Sequence, residues 1–143
     1  LKMDKKIIEK YISLFANLTP KNVKDFDNLV SKDIRFVDPF NDIKGVENFK
    51  KIFYHMFAKT QDPKFSVITY TIKNKNVFLK WKMTFYAFKS EQSIEGISEL
   101  TFNKVGKITS HVDYWDSLNG LFIKLPYIGL LYKISLKIFR VKI

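Results

Sequence analysis

The first half of the chain carries helical patterns of apolar residues. Over 4–17 and again over 46–59, apolar residues recur at every third or fourth position, as on the buried face of an amphipathic helix. Between these segments, Thr19 and Pro20 are typical of a helix start, because threonine caps a first turn and proline fits the first helical position. They predict a second, shorter helix that runs to Val30.

One strand and one loop separate the second predicted helix from the third. Ile34, Phe36 and Asp38 share one face of a short strand over 34–38, since alternate residues of a strand point the same way. Residues 39–45 are rich in Pro, Asn, Asp and Gly, a composition that predicts a loop.

The second half of the chain changes to a period of two. The alternation predicts four strands, over 64–73, 76–88, 93–103 and 107–116. Short polar segments between them predict turns, so the strands should form a meander of antiparallel hairpins. The order α-α-β-α-β-β-β-β then predicts an α+β fold, with three N-terminal helices packed on a strongly curved antiparallel sheet.

The C-terminal segment follows a different pattern. Gly120 and Pro126 interrupt it, and 129–141 predicts an extra C-terminal helix that is apolar around most of its circumference. We therefore divide the chain into a domain over 1–118 and a basic, apolar extension over 119–143. The extension can dock on the domain, pair with a second copy of the chain or lie on a membrane surface.

Composition narrows the kinds of site that the chain can hold. Its 143 residues, 46% of them hydrophobic, fit one globular domain with a real core. The absence of cysteine excludes disulfides and thiolate metal sites, and two histidines make a histidine-rich metal site a poor expectation. A carboxylate-only metal site stays open. We predict that no cofactor is needed.

The net charge of +11 suggests an anionic partner, but the kind of basic residue that supplies it counts against nucleic acid. Base-reading interfaces rely on arginine, and the only arginines are Arg35 and Arg140. We therefore expect a solvated basic surface rather than nucleic-acid binding. No apolar signal-peptide core and no apolar run of about 20 residues is present, which predicts a cytoplasmic protein, peripheral to a membrane if 120–143 contacts lipid.

Candidate chemistry lies on the last predicted strand. His111, Asp113 and Trp115 fall on one face, where a proton-transfer group, a carboxylate and a large ring together indicate a pocket wall. If this face meets Asp38, a histidine and two carboxylates share one pocket. Its apolar walls should come from Phe36, Trp81, Met83, Phe85 and Trp115.

These features together resemble one superfamily. The element order, the Asp38-Pro39 dipeptide and the strand from Gly106 to Trp115 are similar to the NTF2-like cone, which includes ketosteroid isomerase. The strings Asp-Pro-Phe-Asn-Asp and Asp-Tyr-Trp-Asp are most similar to its SnoaL-like branch. The resemblance covers residues 3 to about 118 and implies a conical pocket, a small hydrophobic ligand and a homodimer. Fold alone does not imply one activity.

The resemblance also implies roles for single residues. Asp38 stands where ketosteroid isomerase keeps its general base, and Tyr11 where it keeps an oxyanion-stabilising tyrosine. Ser98 stands where the isomerase has a protonated aspartate, and this departure counts against steroid isomerisation. His111 and Asp113 replace cavity residues that are mostly apolar in the isomerase, which points to different chemistry.

Each of these residues also has a structural interpretation. Asp38 can cap the 39–45 loop, Tyr11 can be a core aromatic, and His111 can be a buried histidine satisfied by Asp113. The apolar walls can equally be ordinary core packing, and His55 should be exposed on the third helix.

Three functions follow from these interpretations. The first is an acid–base isomerase, dehydratase or hydrolase acting on a small apolar carbonyl-type substrate. The second is a non-catalytic binder of an apolar ligand. The third is a dimeric interaction module.

Overall fold

The structure is a computed structural model that describes residues 5–141. Its α-helices are α1 (Lys5–Ala16), α2 (Val46–Lys59), α3 (Ser117–Gly120) and α4 (Ile128–Phe139), and 3₁₀ helices span Val23–Asn28 and Phe122–Lys124. Its strands are β1 (Val30–Val37), β2 (Asp42–Lys44), β3 (Gln61–Lys73), β4 (Asn76–Ala87), β5 (Ser90–Phe102) and β6 (Ile108–Trp115). The predicted α+β fold is confirmed, and its element order holds except for the second helix and the additional strand β2.

The six strands form one sheet in the order β2-β1-β6-β5-β4-β3. Strands β3 to β6 pair antiparallel in sequence order, which is the predicted meander. Strand β1 pairs with β6 in parallel, with Phe36 opposite His111, so the sheet is mixed rather than purely antiparallel. A parallel pair needs a long crossover connection, and the chain between β1 and β6 supplies one.

The hairpin between β4 and β5 is tighter than predicted. Strand β5 begins at Ser90, so the turn consists of Phe88 and Lys89 alone. Both residues have positive φ, 52° and 65°, as a two-residue turn of the primed type requires. The twist of such a turn matches that of the flanking strands, which explains why the ladder extends to its edge.

The second predicted helix is wrong in type and in extent. Thr19 does not start a helix; its N–H donates to the Asn22 side chain in a turn, at 2.7 Å. The segment that follows is a 3₁₀ helix, because its buried residues Val23, Phe26 and Leu29 are spaced by three, the 3₁₀ period.

Strand β1 is longer than predicted and includes Val30. The alternation of buried and exposed residues along β1 is interrupted, because Ser31 is buried beside Val30. The pairing register of β1 with β6 also shifts between Val30 and Arg35. Because of this irregularity, the start of the strand does not follow a period of two and is not predicted from the sequence pattern. The predicted 39–45 loop also contains the short strand β2, which pairs with the end of β1.

Helices α1 and α2 pack on one face of the sheet over an aromatic core. Helix α2 contacts both β1 and β3, which lie near opposite ends of the strand order, so the sheet must curve around it. Within this core most rings meet edge to face or tilted, and Phe26 stacks on Phe53, with centroids 4.9 to 5.7 Å apart for neighbouring pairs among Tyr11, Phe15, Phe26, Phe49 and Phe53.

The C-terminal extension is helical, as predicted. Helix α4 covers most of the predicted 129–141 range and ends before Arg140, while residues 142–143 of the extension lie outside the described part of the chain. Over residues 5–141, the helices are too short or too polar to cross a bilayer.

Candidate active site

A cavity of about 290 Å³ lies between the helices and the sheet. The structure brings every predicted wall residue to it, together with Asp38, His111 and Asp113. The predicted residues at the wall are Phe36, Asp38, Trp81, Met83, Phe85, Ser98, His111, Asp113 and Trp115. Tyr11 is the exception, since it lies behind His111 and is fully buried.

The parallel pairing of β1 with β6 explains why the two candidate faces meet. Phe36 pairs with His111 and Val37 with Val112, so the end of β1 that leads into Asp38 runs beside the stretch of β6 that leads into Asp113. Because both strands alternate with a period of two, their inward residues line the same side of the sheet.

His111 is the centre of a hydrogen-bonded network. Its Nδ1 lies 2.7 Å from the Tyr11 hydroxyl, and its Nε2 lies 2.7 Å from Asp113 Oδ1. The ring is 3% exposed and is packed between the rings of Phe15 and Phe36. The imidazole is therefore held in one orientation by contacts on both nitrogens and on its faces.

Tyr11, His111 and Asp113 form one chain of hydrogen bonds. Burial, and next the negative charge of Asp113, raise the pKa of the Tyr11 hydroxyl well above its ordinary value. When Tyr11 donates to Nδ1, the proton of the imidazole lies on Nε2 and is donated to Asp113. Tyr11 and His111 together orient the carboxylate.

Ser98 and Trp81 hold Asp113 from the neighbouring strands. Ser98 lies directly opposite Asp113 in the β5–β6 pair, and its hydroxyl donates a short hydrogen bond to Oδ1. The Trp81 indole N–H donates to Ser98 Oγ at 2.8 Å. Gly96 makes this reach possible, because a Cβ there would lie only 2.5 Å from the Trp81 ring.

The second oxygen of Asp113 has no hydrogen-bond partner in the described part of the chain. Both Ser98 and His111 donate to Oδ1, and no group within residues 5–141 bonds to Oδ2. The Asp113 side chain lines the cavity and is 17% exposed, and its unpaired Oδ2 is not fully buried. One carboxylate oxygen is therefore accessible in a largely apolar cavity, which suits a proton acceptor.

Asp38 is placed differently although it also lines the cavity. Its Oδ1 accepts the backbone N–H groups of Phe40 and Asn41, both at 2.7 Å, and the Asn41 side-chain amide donates to both of its oxygens. This is the loop-capping arrangement, so the carboxylate that the resemblance assigns as the base is occupied by its own turn.

Several cavity residues escaped the sequence interpretation. Many of the missed residues lie on the inner side of α2 and on β3, among them Ile52, Phe53, Met56, Phe65 and Val67. Their periodicity marked them as inward-facing, and the missing step was knowing that the inward side encloses a cavity. His55 is exposed, as predicted, yet it also lines the cavity.

The C-terminal extension contributes to the cavity too. Leu121 lines it, and Phe122 meets the exposed ring of Phe40 with centroids 6.0 Å apart. No cluster of three or more His, Asp or Glu side chains suited to a metal ion occurs within residues 5–141.

Comparison with known proteins places this architecture. A family model described as a SnoaL-like domain matches residues 9–111. None of the curated proteins matches the sequence significantly.

Solved structures share the fold. An NTF2-like protein of unknown function from Exiguobacterium sp. 255-15 has a TM-score of 0.67 at 21% identity, over 77% of this chain and 98% of its own. A ketosteroid isomerase-like protein from Catenulispora acidiphila has a TM-score of 0.69 at 15% identity, over 82% and 90%. An LEH-like epoxide hydrolase from M. tuberculosis has a TM-score of 0.65 at 13% identity, over 96% and 94%. With a family model that spans well over half of its length, the chain belongs to the SnoaL-like domain family.

Proposed function

We propose that the protein is a cofactor-independent acid–base enzyme for a small apolar substrate, with Asp113 as the proton acceptor in place of Asp38. The observation that carries this proposal is the accessible Oδ2 of Asp113, whose carboxylate is held by Ser98 and His111 through Oδ1 alone. The surrounding apolar walls favour a hydrophobic substrate.

Proton transfer next to a carbonyl group fits this arrangement. Oδ2 takes a proton from the carbon, the C–H electron pair forms the new C=C bond, and the carbonyl π pair moves to oxygen. When Asp113 returns the proton to a conjugated carbon, the carboxylate is regenerated and the substrate has been isomerised. The reaction is an isomerisation that conserves atoms and electrons, so it needs no redox partner.

The other polar residues have supporting roles in this proposal. His111 and Tyr11 are positioning residues, because they act on the substrate only through the Asp113 carboxylate. Ser98 is the hydroxyl at the cavity wall, and its O–H can turn from Asp113 toward a developing oxyanion since a hydroxyl rotates freely.

Water activation is the related reaction that the same oxygen supports. Oδ2 takes a proton from water while the remaining hydroxide attacks one carbon of an epoxide. The C–O bond of the ring breaks, its electron pair stays on the oxygen, and the proton returns from Asp113 to this alkoxide, which regenerates the carboxylate. The likeness to the M. tuberculosis epoxide hydrolase, which spans 96% of this chain, is the reason to include epoxides among the substrates tested.

The test compares Asp113→Asn with Asp38→Asn on apolar β,γ-unsaturated ketones and apolar epoxides. Asparagine keeps the shape of each carboxylate and an oxygen for its donors, so both variants should fold. We expect Asp113→Asn to lower kcat/KM by about 10²–10⁴, the range of general-base catalysis. Asp38→Asn should change kcat/KM only a few-fold. Loss of turnover in Asp38→Asn with turnover retained in Asp113→Asn would assign the base to Asp38 and overturn the proposal.

Non-catalytic binding of an apolar ligand is the second candidate. It is favoured by the state of the polar groups at the deep wall: the Trp81 N–H, the Ser98 hydroxyl and both His111 nitrogens all have protein partners. A cavity with satisfied donors requires no polar group from its ligand. The two tryptophans, Trp81 and Trp115, both line the cavity, so their fluorescence reports occupancy. This candidate predicts ligand quenching, no turnover, and the same Kd in Asp113→Asn.

A further inference from the structure

Helix α4 is attached to the domain through its first turn. Gly129 is buried against the second 3₁₀ helix, and a Cβ added there would lie 2.2 Å from the carbonyl oxygen of Ile123. Lys124, just before, donates to the side chain of the buried Gln92 on β5. These contacts fix how the helix leaves the domain.

The turn before α4 is also constrained. Tyr127 has φ 64° and ψ −55°, and the Ile128 N–H donates to the Pro126 carbonyl at 2.8 Å across it. This is a γ-turn with positive φ, a strained conformation for a residue with a side chain. The helix is therefore held at a set angle rather than joined by a free linker.

The outward side of α4 is an exposed apolar stripe. Leu130, Leu131, Ile134 and Ile138 fall within about 100° of the helix circumference. Their exposures range from 53% to 77%, whereas Gly129 on the other side is buried. Phe139, at the end of the helix, is 81% exposed as well. Within residues 5–141, nothing covers this stripe, and a patch of this kind marks an interaction surface.

The charges around the stripe indicate what covers it. Lys133 and Lys137 are exposed on one flank and take part in no ion pair within the described chain. After Asp116 the sequence has five Lys or Arg residues and no Asp or Glu. A second copy of α4 would therefore bring like charges together, while an anionic lipid surface complements both the stripe and its basic flank.

We propose that α4 docks on an anionic lipid bilayer, with the apolar stripe in the outer part of the bilayer and Lys133 and Lys137 at the level of the phosphates. The exposed Tyr127 ring at the start of the helix suits the same interface, since it has an apolar body and a polar tip. This proposal does not rest on the acid–base function of the cavity.

The experiment is co-sedimentation of the full chain with two kinds of vesicle, one of phosphatidylcholine alone and one with equal amounts of phosphatidylcholine and phosphatidylglycerol. We expect binding to the anionic vesicles, weak binding to the neutral ones, and loss of binding in about 1 M salt, where the Debye length is about 3 Å. Equal binding to both vesicles, or no binding to either, overturns the proposal.

A pair of matched variants separates the stripe from general charge. Ile134→Glu with Ile138→Glu places two carboxylates in the stripe, and Ile97→Glu with Val105→Glu makes the same charge change at exposed apolar positions elsewhere. We expect the first variant to bind anionic vesicles more weakly by an order of magnitude or more, because the two carboxylates are repelled by the anionic surface and the apolar contact is lost. The second variant should bind like the unchanged chain.

Two other results contradict the proposal. If the two double variants lose equal affinity, the attraction is a property of net charge and not of α4. If sedimentation velocity shows a dimer that Ile134→Glu with Ile138→Glu dissociates, and vesicles do not bind, α4 is a contact between copies. All of the substituted positions are solvent-exposed, so an unchanged melting temperature checks that each variant folds.

Discussion

Asp38 and Asp113 line the same cavity, but they lie in different kinds of backbone. Asp38 follows the end of β1 and enters a turn, where its carboxylate accepts two backbone N–H groups and a side-chain amide from within three residues. Asp113 lies inside β6, and its partners come from other strands. One carboxylate completes a local turn, and the other keeps an oxygen for the cavity.

The physical reason is the availability of backbone donors. In a turn, N–H groups two and three residues ahead lie within reach of an aspartate side chain and have no other partner. In a strand, neighbouring N–H groups are used by the ladder, and the side chain stands away from the backbone. A carboxylate in the middle of a strand is therefore better placed for chemistry than one at the start of a loop.

We expect the largest loss of stability when His111, the group that orients Asp113, is replaced. His111→Leu leaves the buried Tyr11 hydroxyl without its acceptor and removes one of the two donors to Asp113 Oδ1. We expect the free energy of unfolding to fall by about 2–4 kcal/mol, since each unpaired buried group costs about 1–3 kcal/mol. Urea denaturation measures this loss.

The matched control for that variant is the other histidine. His55→Leu changes an exposed side chain, and its effect should stay within about 0.5 kcal/mol. Equal effects at His55 and His111 would contradict the network that we describe at Asp113.

A smaller effect is expected at the Asp38 turn. Asp38→Ala removes an acceptor of hydrogen bonds from Phe40 and Asn41, but these groups are partly exposed and can bond to water. We expect a loss of about 1 kcal/mol, the size typical of a lost capping side chain. Thermal unfolding of Asp38→Ala beside Asp38→Asn measures it, because asparagine keeps the accepting oxygen. A cost equal to that of His111→Leu would show that the two regions are not as different as their hydrogen bonds indicate.

The smallest effect should be the contribution of Tyr11 to the pH dependence of the free energy of unfolding. The pKa of Tyr11 is raised above its unfolded value of 10.0, so above that pH the unfolded chain releases a proton that the folded chain retains. Stability from this group is complete below pH 10 and falls as the pH rises above it. The slope is at most about 1.4 kcal/mol per pH unit for one proton.

Tyr11→Phe removes this group and provides the comparison. We expect the stability of the unchanged chain to fall more steeply than that of Tyr11→Phe between about pH 10 and 11. The other tyrosines and the lysines titrate in both proteins, so the difference between the two urea-denaturation series isolates Tyr11. Parallel curves would mean that the hydroxyl is not held protonated beside His111.

Local pattern was enough to predict most of the fold and the wall of the site. The helices α1, α2 and α4, the meander β3–β6, and the shared face of His111, Asp113 and Trp115 follow from periodicity, because burial of one face imposes a period of 3.6 or two on the sequence. The Asp38 turn was also foreseen as an alternative, since an Asx turn involves only neighbouring residues.

Tertiary structure decided what each polar residue does. The parallel pairing of β1 with β6 and the bond between Tyr11 and His111, 100 residues apart in sequence, depend on which distant segments meet. Tyr11 was expected at the cavity as an oxyanion donor and lies instead behind the imidazole that it orients. A periodic pattern specifies which face of an element is buried, but the partner that a buried hydroxyl or carboxylate finds there depends on contacts across the whole fold.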